Sequence, residues 1–247
     1  MAEPTTKFTT ATRYFVSETG AKAASIAKLI GVSQLAIVGA VANEYDTRYN
    51  YDIFFTFHGQ LPQKFGDWWV EGADSHEELV ENYKAVKSGN PNPGSKLGNH
   101  IQMDIGPGNI RIETAIDLIR GYVSLFDGTG NDPLDLLKYG DNYPSLVADL
   151  LDFKDPTATY AVAGLYLSVA QEFFLEKAPS AWDAMTEDER DALLVTYYKL
   201  GGDRIEKNIN KSILASTENS TQYKYNPRGD GGQQHLNNVD MLRDLLK

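Results

Sequence analysis

The stretch from Ser33 to Tyr49 constrains the fold more than any other. Ser33 is a good N-cap, and Gln34-Leu35-Ala36-Ile37-Val38-Gly39-Ala40-Val41-Ala42 continues as an apolar helix running to about Tyr49. Ile37, Val41, Glu44 and Arg48 follow i, i+4, i+7, i+11 and so share one face. A helix this apolar needs neighbours to cover it, and Glu44 stands where the pattern expects a core residue. Desolvation on such a face favours the neutral carboxyl. A carboxylic acid that keeps its proton near neutral pH is what a glycosidase general acid requires. The same spacing also fits an ion pair with Arg48 or another cation, or a glutamate that reaches solvent.

The rest of the chain reads as further helices around an irregular centre. Residues 1–16 read as a tail, with a first helix from Ser17 to about Ile30 and Gly31 at its C′ position. Residues 50–74 are aromatic and turn-rich, Tyr51 to Phe57 reading as a strand or buried loop. Ser75-His76-Glu77-Glu78 opens a helix to about Ser88. Residues 89–111 are the least regular stretch, where turn residues dominate and argue against helix. Helical pattern resumes over 113–126, near 133–139, over 143–151, from Asp155-Pro156 to Lys177, from Thr186 to Leu200, over 203–214 and over 236–246. The expectation is a mainly α fold with a small irregular or β-containing central region. Residues 17–247 form one domain, with an insertion at about 50–103 and a flexible polar segment at about 215–234.

Several function classes are set aside on residue counts. Asp plus Glu number 34 against 23 Lys plus Arg, and a net charge of −11 opposes binding to nucleic acid through phosphate neutralisation. There are no cysteines, so disulfides and thiolate chemistry are excluded. His58, His76, His100 and His235 lack zinc-site spacing, and no metal or cofactor is expected. Asp127 to Asp135 holds several oxygen ligands without the twelfth-position Glu of an EF-hand, and reads better as a solvated turn than as a calcium site. Met1 to Thr12 shows no apolar signal core, and the longest apolar run, Leu35 to Ala42, is too short to span a membrane. The expected protein is therefore cytoplasmic, exported by a specialised apparatus, or cut from a longer chain.

Four segments, taken in order, resemble the goose-type lysozyme and lytic transglycosylase superfamily. Gly31 to Glu44 resembles its catalytic-helix segment, in which a Gly-Val turn leads into an apolar helix ending in the catalytic Glu. Asp104-Ile105-Gly106-Pro107-Gly108-Asn109-Ile110-Arg111-Ile112-Glu113-Thr114-Ala115 resembles its Gly-rich β-loop and following helix start. Tyr160 to Leu167 resembles its Gly-x-x-Tyr-Leu helix, and Leu194 to Gly202 its Ala-Tyr-Asn-Ala-Gly segment. Tyr45 replaces the usual Ser, Asn109-Ile110-Arg111 the usual Met-Gln pair, and Lys199 the usual Asn. The long insertion after Glu44 is most similar to the lysozyme-like toxin domains of type VI secretion effectors.

The resemblance implies a lysozyme-like α+β fold and a muramidase that cleaves the β-1,4 bond between N-acetylmuramic acid and N-acetylglucosamine. The implied partners are peptidoglycan strands, a secretion apparatus and an immunity protein. The implied route is secretion without a signal peptide into the periplasm of a target bacterium. Glu44 would be the acid. An inverting hydrolase also needs a carboxylate base about 6.5–9.5 Å away, for which Asp104, Glu113 and Asp52 are candidates; Asp46 is also close in sequence. Asp104 and Glu113 fit equally as a turn cap and a first-turn acid. Tyr198, Asn109 and Ile110 would line the cleft, Tyr198 fitting as well as a core aromatic. Trp68 and Trp69 would offer a sugar-stacking platform or anchor a loop. A lytic transglycosylase, giving 1,6-anhydro products, needs no second carboxylate. A non-catalytic glycan-binding domain is the remaining alternative.

Overall fold

The computed structural model describes residues 7–49, 104–140, 142–200 and 231–247. The expected elements at 51–57, 75–88 and 203–214 lie outside the described residues. The helices are α1 (Thr10–Thr19), α2 (Ala23–Ile30), α3 (Gln34–Tyr49), α4 (Ile112–Phe126), α5 (Tyr143–Leu150), α6 (Thr157–Lys177), α7 (Pro179–Ala184), α8 (Glu187–Leu200) and α9 (Gly231–Leu245). The strands are β1 (Asp104–Ile105) and β2 (Ile110–Arg111). Among the described residues the chain is mainly helical. It divides into two compact units, Met1–Asn50 with Ala163–Lys247, and Tyr51–Val162.

In the first unit α3 is the axle, packed by α1, α2, α8 and α9. Ala36, Ile37, Val38, Ala40, Val41 and Ala42 are all fully buried, so neighbours cover the whole circumference rather than one stripe. Each Ile or Val so enclosed contributes about 1.5–3 kcal/mol. Ser33 caps α3 as expected, its Oγ accepting from the Ala36 N–H at 3.4 Å. Gly31, with φ 77°, ends α2.

The first helix starts earlier than expected, inside what reads as a tail. Thr9 caps it, its side chain accepting from the Thr12 N–H at 3.3 Å, and Phe15 and Val16 are buried. A 3₁₀ turn, Gly20–Lys22, then separates α1 from α2, where one continuous helix was expected. Asp46 holds this start in place. Its Oδ1 accepts from the Thr9 N–H at 2.8 Å and the Thr12 hydroxyl at 2.6 Å, and its Oδ2 from the Gln234 amide at 3.2 Å. One buried carboxylate thus ties α1, α3 and α9 together.

α8 opens on a reciprocal capping box: the Thr186 hydroxyl accepts from the Glu189 N–H at 3.3 Å, and Glu189 accepts from the Thr186 N–H at 2.8 Å. α7, unexpected from the sequence, buries Trp182 against Phe174 with ring centroids 6.0 Å apart. The last helix begins at Gly231, five residues before the apolar pattern does.

In the second unit β1 and β2 form an antiparallel hairpin, Asp104 opposite Arg111 and Ile105 opposite Ile110. The turn closes with the Asn109 N–H donating to the Gly106 carbonyl at 3.1 Å, with Gly106 at φ 69° and Asn109 at φ 50°. Asp132, in the loop after α4, accepts from the Tyr122 hydroxyl at 2.8 Å and the Leu136 N–H at 2.9 Å, so it serves as a cap. No helix among the described residues is long and apolar enough to cross a membrane.

Candidate functional site

Glu44 lies near the C-terminal end of α3 and is 6% exposed. Its neighbour Asn43 is 1% exposed and donates from Nδ2 to the Gly231 carbonyl at 3.2 Å. α8 brings in Lys199, whose Nζ donates to Asn43 Oδ1 at 2.9 Å and stands 3.9 Å from Glu44 Oε1. At that distance the ammonium acts on Glu44 as a charge rather than as a hydrogen-bond donor. Gly231 fits the same packing: a Cβ there would stand 3.1 Å from Lys199 Cδ. A carboxyl, an amide and an ammonium thus converge from α3 and α8 against the start of α9.

Two effects act on Glu44 in opposite directions. Burial among apolar neighbours favours the neutral acid, and a cation within 4 Å favours the carboxylate. The alternative of an ion pair with a cation other than Arg48 therefore has a named partner, Lys199. This pair separates the use of Glu44 as a proton donor from its use as a structural anchor.

The other sequence candidates fall as follows. Tyr198 is half-buried on α8, its ring edge-on to Tyr166 at 5.7 Å. Within the second unit, Asn109 closes the hairpin turn and Ile110 is 5% exposed in β2. Glu113 is half-buried in the first turn of α4, where a negative charge is favoured. Asp104 opens β1, and its side chain lies outside the described residues, as do Asp52, Trp68 and Trp69. Asp46, near Glu44 in sequence, has both oxygens engaged in the tie between helices.

Two buried titratable groups had no distinctive sequence signal. Asp191, on α8 and 2% exposed, accepts a 2.7 Å hydrogen bond from the Ser33 hydroxyl at the start of α3. Burial, chiefly, raises its pKa from 3.8 to about 7. His235, on α9, is fully buried, and both ring nitrogens lack a hydrogen-bond partner. It packs so tightly on Gly39 of α3 that a Cβ there would collide with its ring. Burial lowers its pKa from 6.5 to about 4.

These two groups impose opposite pH slopes. Asp191 binds its proton more tightly when folded, so its contribution is complete below pH 3.8 and is lost as pH rises to about 7. His235 binds its proton less tightly when folded, so its contribution is complete above pH 6.5 and is lost as pH falls to about 4. Over the shared window they largely cancel. Asp191→Asn is therefore expected to expose the histidine slope, losing about 3 kcal/mol between pH 7 and pH 4 relative to the wild-type trend. Urea unfolding across that range checks it; parallel curves for the two proteins would remove Asp191 from the account.

No family model, curated protein or solved structure was found to match this chain.

Proposed function

We propose that the chain is a peptidoglycan muramidase in which Glu44 protonates the glycosidic oxygen of the bond between N-acetylmuramic acid and N-acetylglucosamine. The burial of Glu44 at the end of an enclosed apolar helix carries this reading. That position gives a carboxyl a desolvated setting, which favours retention of the proton to be donated. The order of the four segments resembling goose-type lysozymes supports it, and Asp104, Glu113 and Asp52 are the proposed sources of a hydrolytic base. Asn109, Ile110, Tyr198, Trp68 and Trp69 are the proposed sugar contacts. Delivery into the periplasm of a target bacterium, with an immunity protein as counterpart, belongs to the same proposal.

A second reading is favoured by a specific observation. The ammonium of Lys199, 3.9 Å from Glu44, suits a carboxylate that anchors α3 to α8 in a domain that binds glycan without cleaving it. Digestion of purified peptidoglycan with the intact chain, read by mass spectrometry of the released muropeptides, separates the readings. Reducing N-acetylmuramic acid ends are the expected product. Anhydro ends would move the reaction to lytic transglycosylation and make the three further carboxylates structural. An absence of products, with glycan still bound, would sink the enzyme reading and leave the anchor.

A further inference from the structure

We infer that Lys199 is a positioning residue for Glu44, its ammonium opposing the desolvation that favours the neutral acid and so moving proton donation toward more acidic media. The inference rests on the proposed role of Glu44 as the acid. Lys199 hydrogen-bonds Asn43, the residue next to Glu44, at 2.9 Å. That contact holds Nζ 3.9 Å from the Glu44 carboxylate, with only 24% of the lysine side chain and 8% of the glutamate exposed. Both side chains are largely enclosed, so salt screens this pair less than it would a surface pair. Gly231, whose carbonyl accepts from Asn43, lies against the lysine stem.

Among the described residues, the charged groups on the elements packed against α3 are placed as follows. From α9, His235 lies on Gly39, more than one helical turn before Glu44, and burial keeps it neutral above pH about 4. On α3 itself, Asp46 is engaged by Thr9, Thr12 and Gln234. On α1 and α2, Arg13, Glu18 and Lys28 are exposed, and Lys22, in the turn between them, is half-buried. On α8, Asp191 and Asp188 lie two and three turns before Lys199, with Asp191 held on Ser33 and Asp188 paired with Arg243. Lys199 is thus the cation that the described contacts place beside Glu44.

The test follows the Glu44 carboxyl itself, by carbon-13 NMR titration of the full chain with Glu44→Gln identifying the resonance. The pH profile of muropeptide release is recorded alongside. In Lys199→Met the Glu44 midpoint is expected to rise by about 1–3 pH units. The alkaline limb of the rate profile should rise with it, activity above the wild-type limb growing about tenfold per pH unit moved. Lys199→Arg should restore both. If Lys199→Met does not fold, Lys199→Gln, which keeps a donor for Asn43, gives the same readout.

An unmoved or lowered Glu44 midpoint in a folded neutral variant would overturn the inference. A raised midpoint and a fixed alkaline limb would overturn the catalytic half of it. A raised midpoint with no muropeptides released by any variant would support the electrostatic role and reject Glu44 as an acid. The two failures are therefore told apart by different instruments.

Discussion

Glu44→Gln is expected to lower the rate of muropeptide release by about 10²–10⁴-fold while leaving the fold intact, because the loss of one general acid is worth that much. Gln keeps the volume of the buried side chain and the packing of α3, but it carries no proton to give to a leaving oxygen. It also leaves the Lys199 ammonium facing a neutral amide. That ammonium keeps its 2.9 Å bond to Asn43 and remains 24% exposed, so it is not stranded. The measurement is turnover on purified peptidoglycan beside circular dichroism and urea unfolding of the same preparation. A variant that turns over at the wild-type rate would remove Glu44 from the chemistry, whatever its burial.

The largest stability effect is expected at the hairpin. Gly106→Ala should cost about 3 kcal/mol or more, the sum of left-handed strain and a forced packing change. Gly106 has φ 69°, and its added Cβ would run into the backbone carbonyl of Leu150, which cannot swing aside as a side-chain tip can. Gly128 provides the control. Its φ is 71° and nothing lies within 4 Å of an added Cβ, so Gly128→Ala should show the conformational cost alone, about 1–2 kcal/mol. Denaturant midpoints of the two variants check the difference. Equal losses would mean that the contact with Leu150 relaxes freely and that only the backbone conformation matters there.

Much of the helical scaffold was legible because its boundaries are written in local chemistry. Ser33, Thr186 and Gly31 each act through hydrogen bonds or dihedral angles within a few residues, so a linear reading can find them. The beginnings of α1 and α9 escaped the same logic. Thr9 is an ordinary cap, but what makes residues 7–16 ordered is Asp46, thirty-seven positions away, and Asn238, whose side chain accepts from the Phe8 N–H at 3.0 Å. Gly231 and Gly232 are buried and open a helix against local propensity, Gly231 lying against Lys199 and Val195 of α8 and accepting from Asn43 of α3.

The site divides along the same line. The burial of Glu44 could be anticipated from the apolar run that precedes it. Its cationic neighbour could not, since Lys199 is 155 residues further on and meets it only after α8 packs on α3. Lys199 did stand out as a departure from the pattern of the lysozyme-like segments that the chain resembles, a signal of difference without a direction. Asp191 and His235 carried no signal, because a buried polar residue at the edge of an apolar helix reads like an exposed one until the neighbouring helix is in place.

The enclosure of α3 has a consequence for how a polymer would meet Glu44. On the proposed muramidase reading, an acid that shows 6% of its surface would meet a glycan linkage only in an opened population of the first unit. Apparent affinity is then the intrinsic affinity scaled by that population, and a form open about 1% of the time binds about 100-fold more weakly than its own contacts would allow. Any partner or substitution that loosened the packing around the end of α3 would raise activity by making the competent state commoner, without touching a single reacting atom.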